Sequence, residues 1–423
     1  MGKNISIIGT GYVGLVTGVC FAKLGNKVIC VDIDKKKVDL INKGISPIYE
    51  EKLDDLLLEN KSNVSATTDY EAAIKKTDVT FICVGTPSNK DGGIDLKYVK
   101  ESAKDIGKQL KNFDKWHLVV VKSTVIPGTT RDIVRPILEK YSCKKTGIDF
   151  GLAMNPEFLR EGVAVNDFLN PDRIIIGTYE TKSAVFLEKL YSSFACPVYK
   201  ISLSAAEMIK YASNCFLATK ISFINEIGNL CKKLNIDTYE VAEGMALDKR
   251  ICRSFLDSGI GWGGSCFPKD VNALISWTKQ KKYAAKLLNS IVEVNDSQPL
   301  MLIELLKKHI PKLKGKTIGV LGLAFKSGTD DVRESRTIPI IRELIKQGAI
   351  IKAYDPKAIE NFKKIFPSIN YCSSAKEVLK SDAVLITTLW NEFKKLDYKG
   401  KIVIDGRRLE EAKSAKIYEG VCW

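Results

Sequence analysis

Gly261-Trp262-Gly263-Gly264-Ser265-Cys266-Phe267-Pro268-Lys269-Asp270 sets one cysteine between three glycines and a Lys-Asp pair. A thiolate attacks carbonyl carbon well, and glycines allow backbone to approach a ligand closely. A free cysteine is also commonly just a small buried hydrophobe, and this chain has 11 of them. The groups that accompany Cys266 must decide between the two readings.

Asn155-Pro156-Glu157-Phe158-Leu159-Arg160-Glu161-Gly162 follows a strand end. Glu157 and Glu161 stand four apart, so a helix beginning there would show both carboxylates on one face. Like charges so placed are unfavourable unless they bind something, and the alternative is a solvated acidic helix start that meets the dipole. Lys210 and Asn214 repeat the four-residue spacing, flanked by Ile209, Tyr211, Cys215 and Phe216. A lysine buried there is costly without a partner, and an ammonium beside an amide makes an oxyanion site. An exposed helix lysine is the simpler competitor. The chain has two histidines, His117 and His309, neither in a motif-like setting. Acid-base chemistry therefore falls mainly to Cys, Lys, Asp, Glu or ordered water.

Gly9-Thr10-Gly11-Tyr12-Val13-Gly14 directly follows Ile5-Ser6-Ile7-Ile8 and opens a helical pattern to Leu24, while Asp32 ends the next strand. These glycines would bring backbone amides and a helix N-terminus against a pyrophosphate, and Asp32 would accept from ribose hydroxyls and repel a 2′-phosphate. NAD is thus expected rather than NADP. The competing reading is a glycine-rich turn in a Rossmann-like domain that binds something else. Thr86 in Val84-Gly85-Thr86-Pro87 and Thr124 in Lys122-Ser123-Thr124-Val125 lie at later strand ends, where ligands of open α/β sheets bind. Each hydroxyl could bond the cofactor or a water, or simply cap a turn.

The elements that must place these groups are legible as alternation. Ile5–Gly9, Lys27–Asp32, Val79–Gly85, His117–Ser123, Ile148–Asn155 and Arg173–Gly177 read as strands between helical patterns, which predicts a parallel doubly wound sheet. A helical pattern runs from about Ser204 to Lys233, and further helices follow to about Lys308. After Pro311 the alternation restarts. The predicted fold is two Rossmann-like doubly wound α/β domains joined by a long central helix and a helical dimerisation domain. The expected boundaries are residues 1–200 for the NAD-binding domain, 201–308 for the central domain and 309–423 for the second α/β domain.

The 423 residues, 45% hydrophobic and 27% charged, describe an ordinary soluble protein with no stretch of roughly 18 apolar residues. An odd number of cysteines without CxxC pairs suits reduced thiols in the cytoplasm and offers neither a disulfide framework nor a metal site. The net charge of +15 comes mostly from dispersed lysines, with no basic arm, zinc finger or RNA-binding signature. It could steer nucleotide anions inward, whereas nucleic acid and membrane partners are not expected.

Taken together these stretches resemble the nucleotide-sugar dehydrogenases of the UDP-glucose/GDP-mannose dehydrogenase family. GTGYVG, KSTV, NPEFLREG, NPDRIIIG, AAEMIKYASNCFLATKISFINE, GWGGSCFPKD and GLAFKSGTDDVRES stand in the family's order over nearly the whole chain. The resemblance implies a four-electron oxidation in which UDP-glucose, two NAD and water give UDP-glucuronate and two NADH. It implies that Cys266 captures the aldehyde as a thiohemiacetal that becomes a thioester and is hydrolysed. Lys210 and Asn214 would steady oxyanions, Asp270 would assist proton transfer, and Thr124, Glu157 and Glu161 would surround the reacting C6, with Glu161 and Thr86 also toward the cofactor.

By the same resemblance Phe158, Leu159, Phe255 and Gly263 line the sugar pocket, and Phe325, Lys326 and Arg407 contact the substrate. Arg333 would reach the cofactor, and Arg250 would be offered to a neighbouring subunit, which implies a homodimer or larger homo-oligomer. One departure is Val125-Ile126-Pro127-Gly128 where much of the family reads VPVG. The same chemistry on GDP-mannose or UDP-N-acetylmannosamine is the nearest alternative. A two-electron hydroxyacid dehydrogenase and a basic binding protein are more distant ones. Glucuronate for envelope polysaccharide is a natural use of the product.

Overall fold

Runs such as Val79–Ile82 and His117–Val121 are buried along their whole length, as strands covered by helices on both faces must be. The computed structural model describes residues 2–423 and shows such runs building two sheets. The first contains β1 (Asn4–Ile8), β2 (Lys27–Val31), β3 (Val64–Thr67), β4 (Val79–Ile82), β5 (His117–Val121), β6 (Phe150–Met154), β7 (Ile174–Thr178) and β8 (Val198–Ser202). Their order is β3-β2-β1-β4-β5-β6-β7-β8, with Ile5 opposite Val28 on one side and Val79 on the other.

Six of these strands run parallel, but β6 and β7 pair antiparallel through Ala153–Thr178 and Met154–Gly177. This corrects the expectation of a wholly parallel sheet. The only helix between β6 and β7 is Ala164–Leu169, about 9 Å long, so the connection stays at the edge where β6 ends instead of returning across the sheet. Strands β3 and β8 carry weak apolar signals and lie at the two sheet edges, partly exposed, which is why the sequence pattern does not reveal them.

The second sheet contains β9 (Thr317–Leu321), β10 (Ile350–Tyr354), β11 (Asn370–Tyr371), β12 (Ala383–Ile386), β13 (Ile402–Asp405) and β14 (Ile417–Gly420). It is parallel throughout, in the order β11-β10-β9-β12-β13-β14. Its winding repeats that of β1 to β6, so each sheet has a switch point beside its first strand, where such sheets bind ligands. Phe21, Phe81, Phe168 and Tyr191 anchor the core of the first sheet, and Ile318, Val320, Leu385 and Ile404 that of the second.

The chain divides into two compact units, one reaching to Ser213 and one starting at Asn214. The division falls within a continuous 32-residue helix, Leu203–Leu234. The helices Thr238–Ala246, Phe267–Gln280, Lys286–Ser297 and Met301–His309 belong to the second unit with its sheet. All 11 cysteines are free thiols. Among the described residues no helix is long and apolar enough to cross a membrane.

Candidate active site

The glycine loop after β1 leads straight into the helix Tyr12–Lys23, with Gly11 at its N-cap. A Cβ on Gly14 would collide with the Gly9 carbonyl oxygen, whereas a Cβ on Gly11 would meet nothing within 4 Å. One glycine closes the turn, and the other leaves open space before the helix N-terminus, as a bound pyrophosphate requires. Asp32, at the end of β2, accepts from the Thr10 amide at 2.8 Å and the Thr10 hydroxyl at 2.5 Å. Partial burial pushes this carboxyl up, but the Thr10 and Asp34 hydrogen bonds outweigh it and hold Asp32 below its ordinary value. Val13 is half-buried in the same turn.

Two further side chains brace this end. Thr86 donates its hydroxyl to the Thr124 carbonyl at 3.0 Å and so ties the ends of β4 and β5 together. Buried Glu50, which carries no motif, accepts from the Tyr12 hydroxyl at 2.5 Å and from the Gly162 and Ala164 amides at 2.7 Å each. It joins the glycine-loop helix to the segment that holds Leu159 and Glu161, both half-buried.

Residues 155–162 form no helix, which corrects the expectation that Glu157 and Glu161 share a helical face. Glu157 turns inward, where its Oε1 meets the Lys210 ammonium at 2.9 Å and its Oε2 accepts the Leu159 amide at 2.6 Å. Both side chains of the pair are buried. Burial pushes the Glu157 carboxyl up, but Lys210, the Leu159 amide and Lys122 together hold it below the usual carboxylate value. Lys210 is therefore a buried, paired lysine rather than an exposed one, and it also lies 5.4 Å from the Phe158 ring centroid. Arg173 covers that ring at 4.1 Å.

Lys122, missed by motif reasoning, adds a second buried cation. It donates to Asn155 Oδ1 at 3.0 Å, and the Tyr191 hydroxyl donates to the same oxygen at 2.6 Å. Burial pushes the Lys122 ammonium down to about 8. A lysine immediately after the apolar run Leu118–Val121 was the available signal.

In the second unit, half-buried Cys266 sits at the N-cap of the helix Phe267–Gln280. The Asp270 N–H donates to the Cys266 carbonyl at 2.9 Å and so closes the first turn of that helix. The Ser265 hydroxyl lies 3.6 Å from its sulfur. One turn on, buried Asp270 accepts from the Asn214 amide at 2.6 Å and pairs with Lys269 at 2.5 Å. The cysteine loop is braced from beneath: Gly259 N–H donates to Asn225, Trp262 N–H to Asn295, and the Trp262 indole to Ser222.

The glycines before Cys266 serve packing. A Cβ on Gly264, whose φ is +84°, would strike the Phe325 ring, and one on Gly263 would strike the Glu334 carbonyl. At these two positions the missing Cβ lets the 325–334 segment approach the loop closely. Lys326 lies 5.7 Å from the Phe325 centroid, and Arg333 forms a forked pair with Asp331. Phe255 adopts φ +67° and meets the Phe267 ring at 6.3 Å. Arg250 is exposed and paired with Asp248. Arg407 donates its Nε to the Thr387 carbonyl at 2.8 Å and lines a cleft of about 270 Å³ with Tyr239, Asp257, Ser258, Leu389 and Arg408.

A dinucleotide cradle on a Rossmann sheet, combined with a second sheet of like winding and a cysteine at a helix N-terminus, defines an NAD-dependent oxidoreductase. Residues 3–195, 204–297 and 319–411 match in turn the NAD binding, central and UDP binding domains of the UDP-glucose/GDP-mannose dehydrogenase family, and the chain belongs to that family. It is 46% identical to UDP-glucose 6-dehydrogenase AglM of Haloferax volcanii, covering 99% of this chain and 100% of that protein. It is 44% identical to UDP-glucose 6-dehydrogenase TuaD of Bacillus subtilis, covering 96% and 89%. A solved UDP-glucose dehydrogenase from Pyrobaculum islandicum superposes with a TM-score of 0.96 at 42% identity, covering 100% and 98%.

Proposed function

We propose that this chain oxidises UDP-glucose to UDP-glucuronate in two NAD-dependent steps through a covalent adduct on Cys266. The observation that carries the reading is Cys266 at a helix N-terminus with buried, Asn214-bonded Asp270 one turn on. The names of the 46% and 44% identical relatives support the hexose. Gly11, the Tyr12–Lys23 helix N-terminus and Asp32 would hold NAD, which accepts the hydride that leaves C6 in each step.

The thiolate adds to the C6 aldehyde as a thiohemiacetal, so the aldehyde cannot escape before fresh NAD arrives. Loss of the second hydride gives a thioester, and water releases the carboxylate and restores the thiol. The Lys210 ammonium and the Asn214 amide steady the oxyanions, Asp270 handles a proton, and Thr124, Glu157 and Glu161 order the water and C6 hydroxyl. Arg407, Lys326 and Phe325 hold the nucleotide end, with Phe158, Leu159, Phe255 and Gly263 around the sugar and Arg333 and Thr86 toward the cofactor.

We also propose a homodimer or larger assembly with Arg250 donated across it. The exposed stripe Phe216, Phe223 and Leu230, spaced seven apart on one helix, supports this. The three-domain division at 200 and 308 and a cytoplasmic location belong to the same reading.

The deciding measurement is NADH formed per UDP-glucose consumed. The intact enzyme should give two, and Cys266→Ser should not sustain turnover. One NADH per sugar, or full turnover without the thiol, overturns covalent capture. Two NADH only with GDP-mannose or UDP-N-acetylmannosamine moves the substrate and keeps the chemistry.

A further inference from the structure

Glu207 lies one turn before Lys210 on the helix Leu203–Leu234 and takes no part in the chemistry above. Its side chain is 0% exposed. Its Oε2 accepts the Gly128 N–H at 2.6 Å, and its Oε1 accepts the Thr130 N–H at 2.7 Å. Both amides belong to the loop that leaves β5 through Lys122, Ser123 and Thr124 and turns at Pro127-Gly128 into the helical stretch Thr130–Ser142. One carboxylate thus joins the backbone carrying Thr124 to the helix carrying Lys210.

A carboxylate has acceptor sites on both oxygens, but a carboxylic acid has turned one of them into a donor. An N–H aimed at that oxygen loses its partner when the proton arrives. We propose that Glu207 is a positioning residue whose ionised carboxylate holds the Thr124 loop in register with Lys210, and whose protonation releases one bond and loosens that register. The inference rests on the reading that Thr124 and Lys210 serve the oxidation.

Burial pushes this carboxyl up to about 7, against the hydrogen bonds from Thr130 and Gly128, and Asp132 adds to the rise. The charged groups that act on it from the loop and the following turn are Asp132 and Arg131, which pair with each other. On its own helix Lys210 is engaged by Glu157. The clamp would therefore tighten as pH rises through neutrality.

The test is a pH profile of kcat from 6 to 9 for the intact enzyme, Glu207→Gln and Glu207→Asp, with amide hydrogen exchange of residues 124–134 in the absence of substrate. The intact enzyme should lose kcat below about 7. Glu207→Gln should lose roughly tenfold to a hundredfold in kcat at pH 8 and lack that acid limb, because a small misplacement of reacting groups carries such a cost. Glu207→Asp should keep the limb and recover part of the rate. In the intact enzyme the Gly128 and Thr130 amides should lose protection, corrected for intrinsic exchange, as pH falls from 8 to 6. An unchanged acid limb in Glu207→Gln, or pH-independent protection in the intact enzyme, overturns the proposal. The exchange measurement needs neither a variant nor turnover, so it decides the clamp even if UDP-glucose proves not to be oxidised.

Discussion

Lys210 and Glu157 are tolerable inside the protein only as a pair. Each charge alone would carry several kcal/mol of desolvation, and breaking a buried pair from one side typically costs about 3–5 kcal/mol. Lys210→Met is therefore expected to destabilise the fold by about 3 kcal/mol in chemical denaturation, and Glu157→Gln by a similar amount. The double variant should lose less than either single variant, because no uncompensated charge is left. Additive losses would show that the pair does not exist. The spacing of Lys210 and Asn214 on one helix was legible from their neighbours. The partner of Lys210 was not, because Glu157 lies 53 positions earlier and local pattern placed it on a helix that does not form.

At the scale of elements, the dinucleotide cradle depends on a brace that lies outside its own motif. Glu50 is one carboxylate shared by the Tyr12 hydroxyl and two amides of the 162–164 turn. Hydrogen bonds to a charged group contribute about 1.5–3 kcal/mol each, so weakening one through Glu50→Gln should raise the KM for NAD roughly tenfold. The rate at saturating NAD should fall much less, which separates a brace of the cradle from a group that acts on the sugar. An unchanged KM would remove Glu50 from the cofactor end. The glycine loop, its strand and its helix could be read directly because all three are contiguous. Glu50 could not, since nothing between residues 44 and 53 announces what its side chain will meet.

For the molecule as a whole, the buried histidine His117 bears on stability. His117 is fully buried at the start of β5, with Nε2 2.7 Å from the Thr80 hydroxyl and Nδ1 3.1 Å from the Thr77 carbonyl. Burial pushes its pKa down to about 4 from the ordinary 6.5. Between those values the unfolded chain binds the proton and the folded chain does not, so stability is complete above pH 6.5 and falls as pH drops toward 4. The loss should reach about 3 kcal/mol, read from denaturation midpoints across that window. His117→Gln should remove most of this pH dependence, although it lowers stability at pH 7. If the variant keeps the same acid slope, the slope belongs to other groups.

The amino-acid order by itself determined the features whose physics is local. Alternating apolar runs and helical periods specify the doubly wound layout of both sheets, a glycine pattern between strand and helix specifies the cradle, and an unbroken helical pattern specifies Leu203–Leu234. Tertiary packing decided the rest. It reversed β7, drew Glu157 to Lys210, filled the space beside Gly264 with Phe325, and set Glu207 against the Gly128 and Thr130 amides. These outcomes turn on burial and on partners tens of residues away, because a charge or a missing Cβ acquires its meaning from what the folded chain brings against it.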